Sequence, residues 1–201
     1  RAGCLHRDGR KVVIVDTDVG QGTLRMWAAK ASELQHDGPP VIGLDAKSLR
    51  RDLARVTSSF DVVVIDCPPR LAGETRDAMR VANLVLLPVT PGAADTWALA
   101  ETLEALEEVR NDRPKLRAAV ILNRADRTTL TGLTREAITE LASVLPAVLG
   151  ARVAIGEAML AGQTVVDYAP ASQSATEVRE LTAAVLAALG KKDGKVQKRP
   201  S

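Results

Sequence analysis

Five short apolar runs, rich in β-branched residues, constrain this chain most: Val12–Val15, Val41–Leu44, Val62–Ile65, Leu84–Leu87 and Ala118–Leu122. None alternates with polar residues. Continuous apolarity is what a strand needs when both its faces are covered, so these read as central strands of a parallel sheet. Arg152–Ile155 reads as a weaker sixth. Helical spacing fills the intervals, at Thr23–Leu34, Lys47–Val56, Gly73–Ala82, Ala94–Arg110, Leu130–Leu145 and Ser174–Leu189. Arg1–Asp8 reads as the end of a helix closed by Gly9. Strand alternating with helix implies an α/β fold: a doubly wound, mostly parallel sheet with helices on both faces. Such sheets bind ligands outside the carboxyl ends of their strands, so the residues that follow each run are where chemistry is expected.

With 46% hydrophobic and only 2% aromatic residues in 201, the core must be aliphatic, and there is material for one domain, over 1–190. Residues 191–201 carry Lys191, Lys192, Lys195, Lys198 and Arg199 against Asp193, which predicts a disordered basic tail. A net charge of +2 is too small to name a nucleic-acid partner. Cys4 and Cys67 lie far apart without metal-ligand spacing, which suits a reducing compartment. No apolar run approaches the roughly 20 residues that span a bilayer, and the expectation is a cytoplasmic protein with no membrane partner.

The first run ends in Val15-Asp16-Thr17-Asp18-Val19-Gly20-Gln21-Gly22-Thr23. Two carboxylates at a strand end, before glycines that open a helix, could hold a hydrated magnesium ion and orient a water towards a phosphate. The same residues could form a turn in which Asp18 caps the helix. They could also begin a dinucleotide fingerprint, with Arg25 where a third glycine belongs and Asp45 as the distant acid. In Phe60-Asp61-Val62-Val63-Val64-Ile65-Asp66-Cys67-Pro68-Pro69, four apolar residues deliver Asp66 to the sheet edge and two prolines stop the strand. That is the placement of a Walker B acid. The fourth run leads into Pro88-Val89-Thr90-Pro91, and the fifth ends at Asn123, whose amide could meet a base edge or cap a helix.

In this order the segments VVIVDTD (12–18), Gln21-Gly22-Thr23, Trp27, FDVVVIDCPP (60–69), VANLVLLPVTPGAADTWAL (81–99), AVILNRAD (119–126) and GEAMLAGQTVVDYAPASQSATEVREL (156–181) resemble the ParA/MinD family of deviant Walker ATPases, especially the small partition proteins. The resemblance implies ATP and magnesium as cofactors, a homodimer, non-specific DNA binding, hydrolysis stimulated by a ParB-like partner, and a nucleoid-associated place in the cytoplasm. It implies Asp18 as the residue that positions the attacking water, Asp66 and Asp16 at the metal, Asn123 near adenine, and Pro88 and Pro91 beside base and ribose.

Two departures accompany it. The family's KGGxGK loop, followed by Ser or Thr, does not occur within the 201 residues; Gly190-Lys191-Lys192 lacks the hydroxyl. The expectation is that the first strand, that loop and most of a helix belong upstream of Arg1, that these residues by themselves are inactive, and that strand edges beside Val12–Val15 or Val62–Ile65 are left open. The alternative is a loop-less, non-enzymatic module that binds DNA or protein, with the tail lysines and Arg152 as candidate DNA contacts. Second, Asp18-Val19-Gly20-Gln21 replaces the family's Asp-Pro-Gln, which loosens that loop.

Overall fold

A computed structural model describes residues 2–18, 20–68 and 73–190. The basic tail at 191–201, Val19 and Pro69 lie outside the described residues. The strands are β1 (Val12–Asp16), β2 (Val41–Gly43), β3 (Val62–Asp66), β4 (Leu84–Val89), β5 (Arg117–Leu122) and β6 (Val144–Val148). Every pairing is parallel. They form two three-stranded sheets, ordered β2-β1-β3 and β4-β5-β6. The helices are α1 (Ala2–Arg7), α2 (Thr23–Glu33), α3 (Ala46–Ser59), α4 (Gly73–Val81), α5 (Ala93–Asp112), α6 (Thr129–Leu141), α7 (Val153–Leu160), α8 (Val165–Tyr168) and α9 (Gln173–Ala188). No described helix is long and apolar enough to cross a membrane.

Helices cover both faces. In the second sheet Val120 and Leu122 pack with Leu99 of α5 and Ile138 of α6, while Ala119 and Ile121 pack with Leu181 of α9. In the first, Val12 and Ile14 pack with Ala2 and Leu5 of α1 and with Leu186 of α9, so α9 serves both sheets. On the other side α4 lies between α3 and α5, and its Met79 meets Leu106 and Val109. Trp27 fixes α2 by donating its indole N–H to the Gln163 carbonyl at 3.2 Å. The same turn needs glycine: Gly162 has φ +66, and a Cβ there would lie 2.8 Å from the Ala31 backbone nitrogen.

The expected strands and helices recur with end shifts, including α1, which closes at Gly9 with φ +77. Two expectations are corrected. The helix expected over Leu130–Leu145 stops at Leu141, and Val144–Val148 is the sixth strand. There Leu145 and Ala147 are buried while Pro146 faces out, and a proline that would break a helix is tolerated on a strand with one neighbour. Arg152–Ile155 is not a strand; Arg152 is extended and precedes α7. So short an apolar run does not discriminate strand from helix.

Of the two places where an open edge was expected, the one beside Val62–Ile65 is found. β1 has a neighbour on each side, whereas β3 and β4 each have one. Val12, Val13 and Val15 are accordingly buried, and Val62 to Ile65 only half-buried. Identical truncations should therefore differ. Val13→Ala should lower the unfolding free energy by about 2 kcal/mol and Val63→Ala by about 1 kcal/mol or less, read as the shift in urea midpoint.

Candidate functional site

The parallel register of β1 on β3 pairs Asp16 directly with Asp66, the last residue of each strand. Residues paired this way lie about 4.8 Å apart on the same side of a sheet. Their environments nevertheless differ. Asp16 ends a middle strand and is 2% exposed, while Asp66 ends an edge strand and is exposed.

The chain beyond β1 is stitched at each step. Thr17 donates both its amide and its hydroxyl to the Asp66 carbonyl, at 3.0 and 2.7 Å. The Asp16 carbonyl accepts from the Leu44 amide at 3.1 Å, which ties in the end of β2. One Asp16 carboxylate oxygen, Oδ1, accepts from the Asp18 amide at 3.0 Å. Asp18 in turn accepts from the Gln21 amide on Oδ1, at 3.3 Å, and from the Gly22 amide on its carbonyl, at 3.1 Å. Asp18 thus organises a turn and is not the cap of α2. That cap is Gly22, at φ 62, with no side-chain hydrogen bond. Asp45, the acid of the dinucleotide reading, caps α3 by accepting from the Ser48 amide at 2.9 Å. Burial pushes the Cys67 thiol up, and the neighbouring Asp66 charge adds to it, which makes it a poor nucleophile.

Asp16 Oδ2 is buried without a hydrogen bond, and the Arg25 Nε lies 3.7 Å away. Among the described residues no group of three or more His, Cys, Asp or Glu could hold a metal ion. Magnesium fits nonetheless, because it is held by one or two carboxylates together with phosphate oxygens and waters. An exposed Asp66 can supply that share, with the buried Asp16 carboxylate behind it.

The second sheet carries the other expected residues. Pro88 lies within β4, exposed and paired with Ile121, and the Asn123 amide donates to the Val89 carbonyl at 2.9 Å. Pro91 precedes α5, whose Asp95 accepts from the Thr90 amide at 2.9 Å. The β4–β5 pairing therefore brings Pro88, Pro91 and Asn123 to one carboxyl edge. The acids occupy the carboxyl edge of the other sheet.

Sequence reasoning missed Glu177. From α9 it accepts from the Gly150 amide at 3.0 Å and from Arg152 Nη2 at 2.7 Å. That loop also returns to β5, since the Leu149 amide donates to the Leu122 carbonyl and the Ala125 amide to the Leu149 carbonyl. Glu177 thus braces the segment that follows Asn123. Its one signal was a carboxylate in the apolar stripe of a helix, between Ala175 and Val178. Arg152, a candidate DNA contact, is engaged by this carboxylate.

Burial would push the Glu177 carboxyl up, but the Arg152 and Gly150 hydrogen bonds outweigh it and hold the group below the usual glutamate range. A depressed folded-state pKa stabilises fully above the unfolded value, about 4.3, and that share is lost as pH falls through the folded value. Glu177→Gln should cost about 1 kcal/mol at pH 7. The gap from wild type should close below about pH 4, in urea titrations run across pH.

Residues 24–118 match the family described as AAA domain. The chain is 35% identical over 126 residues to maintenance of carboxysome distribution protein A of Halothiobacillus neapolitanus, covering 62% of this chain and 57% of that protein. This chain thus spans just over half the length of that relative. It is 28% identical to the chromosome-partitioning ATPase Soj of Thermus thermophilus, covering 92% of this chain and 87% of Soj. Among solved structures, the septum site-determining protein MinD of Pyrococcus horikoshii, complexed with Mg-ADP, superposes with a TM-score of 0.66 at 21% identity, covering 90% of this chain and 85% of that one. At that identity the likeness speaks for the fold.

Proposed function

We propose that this chain is a ParA/MinD-type P-loop ATPase that acts as a partition or positioning ATPase, segregating DNA or distributing a cargo. The observation that carries the reading is the register pair Asp16–Asp66, with the Asp18 turn stitched to it at the same sheet edge. Asp66 would hold magnesium through water and Asp16 would support that shell. Asp18, half-buried and anchored by the Gln21 and Gly22 amides, would orient the attacking water. Asn123 would face adenine, with Pro88 and Pro91 against base and ribose.

Magnesium, which Asp66 would hold through water with Asp16 behind it, would supply positive charge against the phosphates. In this reading two copies associate when ATP is bound, the dimer holds DNA without sequence preference, a ParB-like protein stimulates hydrolysis, and the protein works on the nucleoid in the cytoplasm. DNA binding should then weaken steeply with salt. Because the 201 residues hold no glycine-rich phosphate loop, we further propose that they do not turn over ATP without one.

ATP binding and steady-state hydrolysis, measured on this chain and on the full reading frame that encodes it, test the proposal. The full protein should bind magnesium–ATP and hydrolyse it, and this chain should do so far more weakly. In the full protein Asp66→Asn should abolish magnesium-dependent binding. Asp18→Asn should leave binding near wild type and lower kcat about a hundredfold or more. If neither protein binds magnesium–ATP, the loop-less interaction module replaces this reading.

A further inference from the structure

The geometry points to Arg25 as the positioning residue of the Asp18 turn. This inference rests on the reading of Asp18 as the residue that orients water, although the placement it describes can be observed without nucleotide. Arg25 is the third residue of α2 and reaches back across the sheet edge. Its side chain lies over two glycines from different elements. A Cβ on Gly43, the last residue of β2, would meet Arg25 Cδ at 3.2 Å, and one on Gly22 would meet Nη2 at 2.8 Å. The absence of side chains at both places opens the groove that the guanidinium follows to Asp16, where Nε stands 3.7 Å from Oδ2.

The pairing matters because of what else Asp16 does. Its two carboxylate oxygens have separate tasks: Oδ1 holds the Asp18 amide, and Oδ2 has no hydrogen bond and faces Arg25. The Asp16 side chain is 3% exposed, and a carboxylate so enclosed is oriented by the polar groups that face it. Without the guanidinium, nothing opposite Oδ2 fixes the carboxylate's orientation, and a turned carboxylate withdraws the acceptor from the Asp18 amide. Arg25 therefore acts on Asp18 through Asp16.

Amide hydrogen exchange by NMR on this 201-residue chain is the test. Arg25→Met keeps the length and apolar stem but removes the charge. It should speed exchange at the Asp18 and Gln21 amides roughly tenfold or more while leaving residues 26–33 of α2 unchanged. Arg25→Lys restores a cation and should recover most of that protection. Gly43→Ala leaves the charge in place but crowds the stem, and should reproduce the Met pattern in weaker form. If Arg25→Met exchanges as wild type does, or if residues 26–33 open together with Asp18, the residue holds only its helix and the inference is overturned. In the full reading frame Arg25→Met should lower kcat with little change in KM. A full protein that never binds magnesium–ATP would sink the functional reading and leave the exchange result to decide Arg25's role by itself.

Discussion

The register of β1 against β3 is the constraint on which this molecule depends. A parallel pair shifted by one residue would place Asp16 and Asp66 on opposite faces; as paired, the two acids emerge side by side. Everything else at that edge follows from the two strands having different neighbours. β1 is flanked on both sides, so Asp16 is sealed in and spends its carboxylate on internal contacts, an amide and a guanidinium. β3 has one neighbour, so Asp66 stays open to solvent. Two acids of the same chemistry thereby acquire different environments, one enclosed and one exposed.

The two acids on one side, and Pro88, Pro91 and Asn123 on the other, lie on different sheets, so their relative placement depends on the helices shared between the sheets. α9 reaches both, with Leu186 in the β1 cluster and Leu181 in the β5–β6 cluster. Glu177, on the same helix, braces the loop that follows β6 and returns to the end of β5 near Asn123. A single helix thus fixes one sheet, the other sheet and the loop beside Asn123. Small residues on its packed faces, among them Ala175, Ala184 and Ala188, allow this close approach.

Much of this was legible in the sequence because central parallel strands declare themselves by unbroken apolarity, and a strand that ends in a carboxylate places that carboxylate at an edge. Asp16, Asp18 and Asp66 were found that way, as were Pro88, Pro91 and Asn123. Val144–Val148 was less legible, because Pro146 broke the pattern and the preceding helix seemed to absorb it. Arg25 and Glu177 were missed as participants for a physical reason. Each matters through a contact made by tertiary folding, across two glycines in one case and between α9 and a distant loop in the other. Neither spacing nor composition encodes such contacts.

The claim that carries most weight is that the Asp16–Asp66 edge is where magnesium and the phosphates meet. Paramagnetic broadening by manganese–ATP, followed amide by amide in the full reading frame, locates the ion directly. The account predicts that residues 16–18 and 66–67 broaden first and that Asp66→Asn removes the effect. Broadening confined to the exposed acids of α5, such as Glu104 and Glu108, or left intact by Asp66→Asn, would contradict it.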